Sequence, residues 1–261
     1  MYVSLSSAQP TQSAWRTCAS APPIALDEAH VWLTSVEIGT VEFIAASRLL
    51  GERERQRADR LTRIDDARRY VAAHAALRLI LSLYTNLAPE ALRFEIDAHG
   101  KPRLRDGRGW EFSLSHTGDK ALIAVAARDP VGVDIERIES CADAERMARR
   151  FFSAEEWADW IASPDDVRLL HFWEQWSRKE AYLKALGVGL ARPLQSFSIL
   201  SNADRTDLHS LRLVDLVESE ITRTWSVVGL DIDEHHVGAL AHAGPLETIR
   251  TLALSPDALS L

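Results

Sequence analysis

Val131-Gly132-Val133-Asp134-Ile135-Glu136 reads as a buried β-strand carrying two acids two residues apart. Side chains alternate along a strand, so Asp134 and Glu136 point one way while Val133 and Ile135 point the other. Neighbouring carboxylates repel, and an apolar strand does not normally hold them so. A hard divalent cation such as Mg²⁺ resolves that repulsion and keeps room for phosphate oxygens. About 40 residues on, Trp176-Ser177-Arg178-Lys179-Glu180-Ala181-Tyr182-Leu183-Lys184 reads as a helix with Glu180 and Lys184 on one face at i, i+4. On spacing alone that pair is also an ordinary surface stabiliser worth roughly 0.3–0.5 kcal/mol. Likewise the two acids are also a strand end solvated or paired with Arg137. The helix, however, carries Trp173, Trp176, Tyr182 and Leu183 around much of its circumference, which predicts burial. It ends in Gly187-Val188-Gly189-Leu190, a glycine stop that permits close backbone approach. Together the two segments point to a metal-dependent site for a phosphorylated substrate.

Upstream, residues 1–25 are rich in Ser, Ala, Thr, Gln and Pro and read as an irregular arm. His30–Val36 reads as a first strand and Val41–Leu49 as a helix. Asp65 and Asp66 mark the start of a long amphipathic helix running to Tyr84, with Val71, Ala75, Leu77, Leu79, Ile80 and Leu83 facing the core. Phe94–Ile96 is a short strand. Phe112–His116 and Ala121–Ala127 form a hairpin across Thr117-Gly118-Asp119. Beyond the acid pair, Ala142–Leu186 is rich in helix. Strands are expected near Phe197–Leu200, Leu211–Leu213, Thr224–Val228 and Val237–Ala241. Each half thus offers helices and a small antiparallel sheet, so an α+β fold of two similar lobes is expected. Its boundaries fall at 26–130 and 131–261.

Of the 261 residues, 46% are hydrophobic and 26% charged, as in ordinary soluble globular chains. A net charge of −8 argues against a general nucleic-acid binder. Cys18 and Cys141 match no metal or redox spacing, and a reducing compartment is the simpler reading. No apolar run approaches the roughly 18 residues of a membrane span, and the N-terminus lacks a signal-peptide layout. The expected location is cytoplasmic, with no membrane partner.

Other chemistry-bearing segments read weakly when taken singly. Ser115-His116-Thr117-Gly118 could hold a phosphate through hydroxyls and turn amides. A Ser–His nucleophile pair is disfavoured, because adjacent strand residues face opposite sides and no G-x-S-x-G elbow is present. Gly100-Lys101-Pro102 reads as a turn with a solvated lysine. The arginines 53, 55, 57, 60 and 63 read as a charged helix face, and His74 as a core histidine.

In order, these segments resemble the 4′-phosphopantetheinyl transferase superfamily in its longer, Sfp-type form. Gly132-Val133-Asp134-Ile135-Glu136 matches G-[IV]-D-[IVL]-E, and Trp176 to Lys184 matches W-x-x-K-E-[AS]-x-x-K. Gly100-Lys101-Pro102 and Phe112–Gly118 match the G-K-P and F-[NS]-[LI]-S-H-[ST]-G elements. Phe151-Phe152-Ser153 with Glu156 matches F-F-[ST]-x-x-E. The resemblance covers roughly residues 50–200.

It implies transfer of the phosphopantetheine arm of coenzyme A to a serine of an apo acyl, peptidyl or polyketide carrier protein, releasing 3′,5′-ADP. By this resemblance Asp134, Glu136 and Glu180 hold Mg²⁺, with Mn²⁺ as a substitute, and Lys184 binds the phosphates and steadies the leaving group. Glu180 or a metal-bound water takes the serine proton. Arg57, Ser115 and His116 contact the 3′-phosphate and ribose, and Lys101 and Pro102 line the adenine end. Glu54 stands where some relatives carry lysine, and Tyr70 where some carry threonine. The resemblance further implies a monomer acting as a pseudo-dimer, with the site at the lobe interface. A Mg²⁺-dependent hydrolase of the same pyrophosphate is the rival reading. A silent binder is disfavoured because the three acids, Lys179 and Lys184 are all present.

Overall fold

The computed structural model describes residues 11–12, 15–105, 109–201, 211–215, 225–255 and 258. In chain order, β1 (Thr11–Gln12), β2 (Arg16–Cys18) and β3 (Glu28–Ser35) lead into helices α1 (Thr40–Leu49), α2 (Glu52–Asp59) and α3 (Ile64–Thr85). The short strands β4 (Phe94–Ile96) and β5 (Pro102–Leu104) precede β6 (Trp110–Thr117) and β7 (Lys120–Ala127). Next come β8 (Val131–Arg137), α4 (Ala144–Phe151), α5 (Ala154–Ala162) and α6 (Asp165–Leu186). The chain continues through β9 (Phe197–Ser201), β10 (Leu211–Asp215), β11 (Trp225–Asp233), β12 (His236–Ala243) and β13 (Thr248–Leu254).

The architecture is α+β with two lobes. One sheet has the order β1-β13-β3-β7-β6, with β2 also on β13, and the other the order β11-β12-β8. Each sheet carries one 22-residue helix, α3 on the first and α6 on the second. Trp32, Val71, Ile80, Phe112 and Ile123 fill the core under α3, and Tyr182, Phe197, Trp225 and Ala239 that under α6. A third core joins the sheets face to face, with Val31, Leu122 and Ala124 against Val133, Ile135 and Leu240. Val133 and Ile135 therefore face the first lobe, and alternation turns Asp134 and Glu136 toward α6.

Two expectations are corrected. The arm is not wholly irregular, since β1 and β2 pair in parallel with β13. The second lobe does not keep everything from 131 onward, because β13 inserts beside β3 in the first sheet. That sheet is consequently mixed: β13 arrives by a long crossover, so no hairpin forces it antiparallel. The expected strand at 224–228 is found from Trp225, and Thr224 lies outside the described residues. Among the described residues no helix is long and apolar enough to cross a membrane.

Local chemistry sets the helix ends. α6 starts after Pro164 with Asp165 and Asp166 in its first turn, where carboxylates suit the positive end of the dipole. It stops at Gly187, whose φ of 76° is the left-handed conformation that glycine adopts without penalty. α5 is opened by a capping box between Ser153 and Glu156.

Candidate active site

The site begins with a close approach that only glycine allows. A Cβ at position 132 would lie 2.0 Å from the Ala181 carbonyl oxygen and 2.3 Å from the Ala185 amide nitrogen. α6 thus lies directly on β8 and carries Glu180 and Lys184 to the face bearing Asp134 and Glu136.

Asp134 is 3% exposed. Its Oδ1 accepts hydrogen bonds from Lys184 Nζ at 2.7 Å and Ser115 Oγ at 2.8 Å, and Lys184 also donates to Ser115 Oγ at 2.8 Å. Asp134 Oδ2 and Glu180 Oε1 are buried without a hydrogen-bond partner. Glu136 Oε1 accepts from Trp176 Nε1 at 3.1 Å.

Burial pushes the Asp134 carboxyl above the usual carboxylate range, against the pull of the Lys184 charge and hydrogen bond. Burial and then the Asp134 charge push Glu136 up to about 7. Glu180 is raised by the same two causes. Three carboxyls that each resist ionisation, with one lysine among them, form a pocket short of positive charge. Among the described residues, no three His, Cys, Asp or Glu side chains are gathered closely enough to hold a metal ion as they stand. The fit to a cation therefore rests on the two orphaned oxygens and on an all-oxygen donor set, the chemistry Mg²⁺ prefers.

Side chains of the first lobe close the seam along β8. Lys101 Nζ donates to the Val131 and Ala185 carbonyls at 3.1 Å each, and Ser113 Oγ accepts from the Val133 amide at 3.1 Å. The Val131 and Val133 groups lie on the edge of β8 away from β12, and the Ala185 carbonyl is in the last turn of α6, where no helical amide follows to satisfy it. Burial lowers the Lys101 ammonium to about 8, opposed by the charge of Glu111. The lysine expected to be solvated in a turn is instead a buried strut between the lobes.

Two cavities open beside this seam. The larger, about 770 Å³, is lined by Arg57, Tyr70, His74, Arg78 and Pro102, among others. The smaller, about 310 Å³, is lined by His74, Lys101, Pro102, Ser113, Lys184 and Gly187, among others.

Comparison with known proteins accounts for both lobes. Residues 38–128 match the N-terminal domain of 4′-phosphopantetheinyl transferases, and residues 130–241 match the 4′-phosphopantetheinyl transferase superfamily. The 4′-phosphopantetheinyl transferase HetI of Nostoc sp. is 31% identical over 221 residues, which cover 84% of this chain and 89% of that one. The chain belongs to the 4′-phosphopantetheinyl transferase superfamily.

A second relative of this transferase, 4′-phosphopantetheinyl transferase psf-1 of Bacillus pumilus, is 35% identical, with 67% of this chain and 72% of that one covered. A solved structure of a holo-(acyl-carrier-protein) synthase from Bacillus anthracis, in complex with CoA (3′,5′-ADP), covers 44% of this chain and 94% of its own. Its identity is 15% and its TM-score 0.35. The activity of the family is transfer of a 4′-phosphopantetheinyl group from coenzyme A to a carrier protein.

In this transferase the residues singled out in the sequence divide into two groups. Asp134, Ser115 and Lys184 are in mutual contact, and Glu136 and Glu180 feel the Asp134 charge. Arg57 and Pro102 are exposed on the walls of the cavities. His116, at the strand end, turns to the face opposite Ser115, as alternation requires. Crowding by surrounding protein, then the charges of His74, Lys184 and Arg69, hold its imidazole below the ordinary value.

Lys179 does not join the acids. It is 1% exposed, and its ammonium reaches Glu156 Oε1 and Oε2 at 2.8 and 2.6 Å and the Phe197 carbonyl at 2.8 Å. Glu156 also accepts from Gln175, Ile199 and Ser153. This ion pair locks α5, α6 and β9 together, and the family elements carrying Glu156 and Lys179 meet as structure. Sequence reasoning missed Trp176 as the residue that holds Glu136. The indole N–H, a donor that needs a partner when buried, was the available signal.

Proposed function

We propose that this transferase moves the 4′-phosphopantetheine arm of coenzyme A onto a serine of an apo acyl, peptidyl or polyketide carrier protein, releasing 3′,5′-ADP. Its proposed metal is Mg²⁺ held by Asp134, Glu136 and Glu180, with Mn²⁺ as a substitute. The observation that carries this reading is the buried, unpartnered pair Asp134 Oδ2 and Glu180 Oε1 beside the Lys184 ammonium.

In the reaction the serine oxygen bonds to the phosphorus bearing the pantetheine arm, and the bond from that phosphorus to the bridging oxygen breaks. The electron pair leaves with 3′,5′-ADP. A bound divalent cation supplies charge neutralisation on the pyrophosphate. Lys184 lines the smaller cavity and adds a cation for the phosphates and the leaving group. Glu180, or a water held by the bound cation, would take the serine proton. Arg57 and His116 receive the 3′-phosphate, and Pro102 borders the adenine. Lys101 serves through its two carbonyl bonds, which fix β8 against α6. Ser115 serves through Asp134. The proposed working unit is a cytoplasmic monomer, since both lobes of the site lie in one chain.

The test is incubation with coenzyme A, Mg²⁺ and a panel of apo carrier proteins, read by mass spectrometry. The expected result is a gain of one phosphopantetheinyl group that requires both carrier and cation. Consumption of coenzyme A without a carrier would favour the hydrolase instead. A trimer by light scattering would contradict the monomer.

A further inference from the structure

His74 lies where the two cavities meet, sharing both walls with Leu77, Gly100 and Pro102. The i, i+4 spacing on α3 stacks its ring on Tyr70, with centroids 4.0 Å apart and planes 30° apart. Its Nδ1 is 3.2 Å from Glu54 Oε1. Glu54 is itself fixed, because its Oε2 accepts from Arg78 Nε at 2.8 Å and from the Gly51 amide at 2.6 Å. The Glu54 charge is answered by the buried Arg78, so it does not repel an anion outright. This clamp leaves Nε2 as the ring nitrogen free of the Glu54 contact.

The surroundings are cationic. Six arginines, Arg57 and Arg78 among them, line the larger cavity against three acids, Glu52, Glu54 and Glu90. Ser115, expected among the phosphate contacts, is already committed to Asp134 and Lys184. A dianionic phosphate monoester held by Arg57 in the larger cavity would have His74, on the same cavity's wall, as its next donor.

We propose that His74 is a specificity-determining contact for the 3′-phosphate of coenzyme A, held in place by Glu54 and Tyr70. This inference rests on the coenzyme A reading of the cleft and adds to it a residue expected only as core. Glu54, where some relatives carry lysine, is then a positioning residue for an imidazole rather than a lost phosphate contact.

The experiment is calorimetric titration of the full chain with 3′,5′-ADP and with 5′-AMP, without divalent cation so that the acid site takes no part. The expected result is that His74→Phe, which keeps the ring against Tyr70, weakens 3′,5′-ADP about tenfold, the loss of one charge-assisted hydrogen bond. Binding of 5′-AMP stays within twofold, and His74→Gln, which retains an N–H donor, recovers part of the loss. Unchanged 3′,5′-ADP affinity in both variants would overturn the inference while leaving the cleft assignment standing. Equal weakening of both nucleotides would overturn it too, placing His74 at the base or ribose. Failure of the wild-type chain to bind 3′,5′-ADP would instead overturn the cleft reading on which it rests.

Discussion

Lys184 Nζ stands 2.7 Å from Asp134 Oδ1, while Oδ2 of the same carboxyl is buried with no partner. One lysine thus balances a site that gathers the charges of three acids. This half-answered charge is what a bound divalent cation would complete.

Replacing Lys184 by Met keeps length and removes the ammonium. The expected outcome is a fall in kcat of about 100-fold or more, the scale of losing a preorganised charge at a developing anion. Stopped-flow release of 3′,5′-ADP measures it, and a change confined to KM would speak for a binding role alone.

Gly132→Ala should disable the enzyme through packing. The added methyl would meet the backbone of α6 at 2.0 Å, and backbone cannot rotate aside. Destabilisation of about 3 kcal/mol is expected, at the upper end of overpacking costs. Urea denaturation of the variant against wild type reads it directly.

Glu156→Gln should unfold the second lobe's helical layer rather than alter chemistry. It leaves Lys179, 1% exposed, without its carboxylate, and breaking a buried pair typically costs about 3–5 kcal/mol. The expected outcome is a large fall in Tm, with residual activity in proportion to the folded fraction.

The pH dependence follows from Glu136, held up at about 7 by burial and then by Asp134. A carboxyl whose folded pKa is raised contributes stability below its unfolded value of 4.5 and loses it as pH rises through about 7. A bound cation reverses that loss by favouring the carboxylate. The gain in Tm on adding Mg²⁺ should therefore grow between pH 5.5 and 8, and a gain that shrinks would point to a site elsewhere.

Much of this arrangement was legible in the sequence because it follows from local periodicity. Alternation put Asp134 and Glu136 on one face, and helical spacing did the same for Glu180 and Lys184. What escaped depends on partners that local patterns do not reveal. β13 pairs with β3 across more than 200 residues, with no turn signal to announce it. Lys101 reads as solvated because its partners are main-chain carbonyls of Val131 and Ala185, which carry no residue identity. Lys179 sits next to Glu180 in the chain, but the turn between consecutive helical residues sends it to Glu156 instead. His74 has the spacing of a core residue, yet the helix meets a cleft there rather than a sheet.

The most direct test is calorimetric titration of Mg²⁺ into the full chain at pH 8 in the presence of 3′,5′-ADP, alongside Asp134→Ala and Glu180→Ala. One saturable site is expected in the wild type. Both variants lose it and all carrier modification while keeping the wild-type far-UV spectrum. Undiminished Mg²⁺ binding or retained transfer at saturating Mg²⁺ in either folded variant would contradict the three-acid site.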